Sequence, residues 1–149
     1  NPDQWDGYPG SRKAVLDQLA SERITDNVIV SGDLHSSWAL DVAPDPFSPA
    51  YDPATGRGSL AVEMVTPAVS SPSPFADQPH VLARQRHAMQ RPHIRWVEFR
   101  SRGYLLVDID AERARGEWWL QDDITKRGAP DRLAAAMETL RGRNHLVAA

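Results

Sequence analysis

Val28-Ile-Val-Ser-Gly-Asp-Leu-His-Ser-Ser37 joins a run of three β-branched residues to a glycine, with Asp33 and His35 one residue apart just beyond it. A short apolar run ending at a glycine reads as a buried strand that opens into a loop. In α/β architectures ligands and catalytic groups collect at that C-terminal end. In near-extended chain, residues two apart point to the same side, so Asp33 and His35 converge while Leu34 points away. A carboxylate beside an imidazole suits a metal ion or an acid/base pair; the same residues also serve as a turn cap and an ordinary loop histidine. Ser36 and Ser37 invite a serine-hydrolase reading. Sequence neighbours seldom build a nucleophile–base–orienter chain, however, and no Gly-x-Ser-x-Gly elbow is present, so turn and cap hydroxyls are the better expectation.

The 149 residues contain no cysteine and carry a formal net charge of −3. That is one domain's worth of chain, able to bury roughly 68–70% of its unfolded surface without disulfides. The charge provides no electrostatic footprint for nucleic acid or an anionic membrane. No apolar run approaches the ~20 residues of a transmembrane helix, and no signal peptide opens the chain. The first residue is Asn1 rather than methionine. The sequence therefore reads as a fragment or trimmed domain, and a missing signal says nothing of where the parent protein resides.

After a turn-rich, aromatic start, Pro9 and the apolar positions Val15, Leu16, Leu19 and Ala20 predict a helix over 9–22. A short Thr25-Asp26-Asn27 turn delivers the chain to a strand at 28–31. Residues 43–58 hold four prolines and two glycines and predict an irregular excursion. Residues 59–66 alternate as a strand, followed by a serine- and proline-rich loop at 67–79 and a helix ending near Gln90, stopped by Pro92. Residues 94–99 and 104–109 predict two strands of a hairpin closed by Arg100-Ser-Arg-Gly103, and a third strand at 113–120 completes an antiparallel meander. Leu133, Ala136, Met137 and Leu140 fall at helical spacing, predicting a terminal helix over 130–141 with Gly142 past its end.

Several isolated polar residues are further candidates. Glu63 sits among apolar neighbours, where a carboxylate needs a partner; it is either a ligand or supporting group or an exposed position on an edge strand. His93, between Pro92 and a strand, is placed to contact an anionic substrate or to play a structural part. His80, His87 and His145 have no partner at metal-ligand spacing and are expected to face solvent. Trp118 and Trp119 predict one core residue and one partly exposed. No glycine-rich phosphate loop is present.

Five short segments, in order and with matching gaps, resemble the C-terminal half of the PhoD-like alkaline phosphatases. They are Asp3-Gln-Trp-Asp-Gly-Tyr8, Val30-Ser-Gly-Asp-Leu-His-Ser-Ser37, Val62-Glu-Met-Val-Thr-Pro67 with Ser70-Ser71, Pro92-His-Ile-Arg-Trp-Val97 and Arg102-Gly-Tyr104. The likeness spans residues 1–120. It implies a mixed α/β (α+β) chain, the C-terminal portion of a metallophosphoesterase β-sandwich flanked by helices; the residue pattern itself adds the meander at 94–120 and, beyond the likeness, a helical extension at 121–149. It implies metal-dependent hydrolysis of phosphomonoesters and phosphodiesters by an exported protein using iron and calcium.

On the same resemblance, Asp33 and His35 stand where related enzymes carry their last pair of metal ligands. They would be catalytic, as ligands or immediate neighbours of the metals. Glu63, Thr66 and His93 match motif positions and would bind substrate or support the site. The family's remaining ligands, including a cysteine, a tyrosine, aspartates and an asparagine, lie in an N-terminal half that this chain lacks, in agreement with its zero cysteine count. The chain would thus supply only part of an active site, with the missing half of the domain as its partner. The competing class is a non-catalytic structural or binding module.

Overall fold

The computed structural model describes residues 3–149, and residues 1 and 2 of the turn-rich start lie outside the described residues. The elements run α1 (Pro9–Ser21), β1 (Val28–Ser31), β2 (Ser37–Val42), β3 (Ala61–Val65), α2 (Val81–Ala88), β4 (Ile94–Glu98), β5 (Arg102–Ile109), β6 (Arg113–Gln121), β7 (Asp131–Leu140) and β8 (Val147–Ala148). They form two four-stranded sheets, ordered β1-β3-β2-β4 and β5-β6-β7-β8. The mixed α/β, two-sheet arrangement expected from the sequence is the one the chain adopts.

The sheets face each other through Ala39, Val62, Met64, Trp118, Met137 and Leu146, all in one buried cluster. The Trp118 indole N–H donates across the interface to the Val65 carbonyl at 2.9 Å, so the largest core side chain also satisfies its own polar atom. Gly116 lies where an added Cβ would stand 2.6 Å from Met64 Sδ, which lets the two layers close at that point. The helices cover the other face of the first sheet. Leu16 of α1 meets Val42 and Ala61, while Ala88 of α2 joins Ile94, Val97 and Phe99.

Three expectations are corrected. The terminal helix is a strand: β7 pairs with β6 along its whole length and with β8 on its other side. Its good helix formers are overridden by two flanking strands that satisfy its backbone, with Met137 fitting the core. The hairpin between 94–99 and 104–109 does not form. β4 pairs with β2 in the first sheet and β5 with β6 in the second, so the residues between them carry the chain from one layer to the other. The antiparallel meander is therefore β5-β6-β7, displaced from 94–120 to 102–140. His145, expected in solvent, is 9% exposed and takes part in the polar node described next.

At the far end of β2, Asp41 is 1% exposed. Its carboxylate accepts from the Tyr51 hydroxyl at 2.8 Å, His145 Nδ1 at 2.7 Å and the Leu146 backbone N–H at 2.9 Å. One buried carboxylate thus ties β2, the proline-rich excursion and the C-terminal segment together. Burial, then the hydrogen bond to Asp41, pushes the Tyr51 hydroxyl well above its ordinary range and keeps it a donor. Gly56 abuts the His145 ring at a positive φ of 70°, so any side chain there meets both a clash and an unfavourable backbone.

Candidate functional site

β3 lies between β1 and β2, antiparallel to β2 and parallel to β1. The chain leaving β1 must therefore cross over the end of β3 before entering β2. Residues 32–36 make that crossing as a tight turn. The Leu34 N–H donates to the Gly32 carbonyl at 2.8 Å, and both Asp33 (φ 68°) and His35 (φ 53°) are left-handed. The extended geometry expected for Asp33-Leu34-His35 is corrected accordingly: a chain that must reverse over a neighbouring strand cannot stay extended. Aspartate and histidine are among the residues that tolerate this conformation.

His35 Nδ1 lies 3.1 Å from the Pro72 carbonyl oxygen. A carbonyl only accepts, so Nδ1 carries a proton and donates, which leaves Nε2 as the ring nitrogen open to another partner. Metal-binding histidines are commonly oriented in this way, by a backbone carbonyl on the second ring nitrogen. The loop bearing Pro72 is itself held by Arg102 of β5, whose Nε donates to the Ser70 and Ser71 carbonyls at 2.9 and 3.2 Å. Asp33 is exposed and His35 half-buried.

Glu63 and Thr66 are brought to this end. Glu63 is half-buried on the interior strand β3, not on an edge, and its Oε1 accepts from the Ser31 hydroxyl at 2.6 Å. Thr66 donates its backbone N–H to the Ser31 carbonyl at 2.9 Å, and its Cγ2 sits in van der Waals range of Gly32. Ser36 is a turn hydroxyl: Oγ donates to the Leu34 carbonyl and accepts from the Trp38 indole at 2.8 Å, and neither partner is a base. Among the described residues, no group of three or more His, Cys, Asp or Glu side chains could hold a metal ion. Asp33 and His35 by themselves fall short of a three-donor set.

His93 is not brought to Asp33. The Asp41 N–H donates to the His93 carbonyl at 2.9 Å, which puts His93 beside the last residues of β2, while His35 precedes the first. The four steps from Ser37 to Asp41, at ~3.3 Å per residue, separate the two ends by roughly 13 Å. A trough of about 1200 Å³ on the helix-bearing face joins them, floored by Ile29, Leu40, Glu63 and Val65. Burial, then the field of Arg91, holds the His93 imidazole below its ordinary value, with Asp41 opposing and Arg12 assisting.

The sign of the resulting pH dependence follows. The unfolded chain takes up this proton near pH ~6.5 while the folded chain resists, so the stability tied to neutral His93 is whole above that pH and lost below it. Urea midpoints measured through the acid range should fall less steeply for His93→Gln than for the parent chain; parallel slopes would refute the assignment.

The turn over β3 thus sets a half-buried imidazole and an exposed carboxylate at the end of the first sheet of a two-sheet sandwich. The profile of the PhoD-like phosphatases matches residues 1–118, and the chain belongs to that family. Alkaline phosphatase D of Bacillus subtilis (strain 168) is 25% identical over 127 residues, covering 85% of this chain and 20% of that protein. A solved structure described as that of PhoD superposes with a TM-score of 0.80 at 23% identity, over 98% of this chain and 26% of the other, a likeness of fold. The chain thus spans about a fifth of the curated relative it matches. No helix among the described residues is long and apolar enough to cross a membrane.

Proposed function

We propose that this chain supplies the closing part of a metal-dependent phosphoester hydrolase site of the PhoD-like kind, with iron and calcium as its metals and an exported parent protein. The observation that carries the reading is the His35–Pro72 hydrogen bond, which fixes the imidazole by one ring nitrogen in the same turn that bears Asp33. Membership in the family supports the same class of reaction and a phosphoester as substrate. Asp33 would lend negative charge and one oxygen to a cation, and His35 one nitrogen. Bound metal in such sites polarises phosphoryl oxygens and acidifies water. Glu63 and Thr66 would keep the turn in place from beneath, through Ser31 and Gly32.

The test is a complete PhoD-like domain containing these residues, with Asp33→Gly and His35→Gln. Glycine is chosen because φ 68° suits it, so the carboxylate is removed without backbone strain. Both variants should lose metal and at least roughly 100-fold in hydrolysis of bis(p-nitrophenyl) phosphate, since a metal's contribution is several kcal/mol. Unchanged metal content and rate would sink the assignment. For the chain by itself, a second reading is favoured by the absence of a three-donor group among the described residues: a non-catalytic structural or binding module. A metal titration of the isolated chain separates the two, with tight stoichiometric uptake speaking against the second.

A further inference from the structure

The end of the trough away from Asp33 has a chemistry of its own. Arg12 of α1, Arg91 beyond α2, and His93 ahead of β4 all line it. Arg12 is partly anchored, donating to the Ala43 and Pro44 carbonyls at 3.1 and 3.5 Å, which fixes its guanidinium at the wall and leaves further N–H groups. Among the described residues, the Arg91 guanidinium makes no hydrogen bond or ion pair.

His93 Nδ1 is sealed from solvent without a hydrogen-bond partner, and the ring rests edge-on against Phe47 at 5.8 Å between centroids. The carboxylates nearby are already committed. Asp41 is enclosed by Tyr51, His145 and Leu146, and Asp3, which also lines the trough, is not free. Two guanidinium groups at one end of an open trough call for an occupant that is negative and rich in acceptors.

We propose that Arg12, Arg91 and His93 form an oxyanion-binding subsite at this end of the trough, taking a phosphate or carboxylate group. Planar guanidinium forks pair two N–H donors with two oxygens of either group, and the His93 ring lines the wall beside them. The subsite lies roughly 13 Å along β2 from the Asp33 turn, too far for one phosphoryl group to touch both. It therefore does not rest on the metal-site reading and stands or falls separately.

The experiment is a titration of the folded chain with sodium phosphate and, separately, sodium acetate, against sodium chloride at matched ionic strength. The His93 ring and the arginine Nε–H signals are followed by NMR. Phosphate should shift these signals saturably while chloride does not. Arg91→Gln should weaken the response at least about tenfold, the loss expected for a charge-assisted pair. Arg12→Gln provides a second variant on a different element, and Asp33→Gly should leave the response unchanged. Saturation by phosphate alone identifies a phosphate-bearing ligand, and equal saturation by acetate a carboxylate such as an acidic side chain. A response that merely tracks ionic strength, or one equally strong in both arginine variants, overturns the subsite.

Discussion

Asp41→Ala should cost the chain about 3–5 kcal/mol, the range found when one partner of a buried charged network is removed. The reason lies in what remains behind. The Tyr51 hydroxyl, the His145 Nδ1–H and the Leu146 N–H all point at the carboxylate, and alanine leaves three buried donors unpaired. Two of those donors hold the C-terminal segment, so the loss should be uneven. Limited proteolysis should cut near residues 143–149 before the sheets open, and the urea midpoint should fall with it. Asp41→Asn, which keeps an acceptor of the same shape, should cost less than alanine does. A change below about 1 kcal/mol for alanine would mean the node is ornamental.

Trp118→Ala should be nearly as damaging, about 3–5 kcal/mol for a large aromatic removed from a closed core. Trp118 is fully buried between the sheets, its ring tilted at 49° to that of Trp96 with centroids 5.3 Å apart. The truncation opens a cavity against Met64 and Leu146 and also removes the hydrogen bond to the Val65 carbonyl. Trp118→Phe separates the contributions: it retains most of the packing and loses the hydrogen bond, which is worth about 0.5–1.5 kcal/mol. Thermal melts of the two variants should therefore differ widely. Equal losses would show that the hydrogen bond, and not the volume, holds the layers together.

The sequence-level expectations succeeded where the cause was local. Proline at the first turn and the Leu16–Leu19 stripe place α1 almost to the residue, and the Val-Ile-Val run marks β1, though as an edge strand with Val30 56% exposed instead of the buried strand expected. Turn chemistry likewise flagged Gly32 to His35. Where the cause was distant, local pattern misled. Leu133 to Leu140 has helical spacing and helix-forming alanines, yet its state is set by β6 and β8. His145 has no local partner because its partner, Asp41, is 104 residues away. β2 itself was legible and passed over, since Trp38, Leu40 and Val42 alternate with Ala39 and Asp41 in strand period. Glu63 was singled out as a lone carboxylate needing a partner, and Ser31 provides one.

The strand order β1-β3-β2 also governs the timing of assembly. β1 and β2 are consecutive in the chain but are never neighbours in the sheet; each pairs with a strand made later. On the ribosome, both emerge with their pairing edges unmatched until Val65 has followed the proline-rich excursion out of the exit tunnel. An early β1–β2 hairpin would be a local, fast-forming trap that β3 must break open. In the folded sheet residues 32–36 span the end of β3, so this turn reaches its final form only once β3 lies between its two flanking strands. The residues proposed to hold a metal would then take up their final positions only after β3 has arrived.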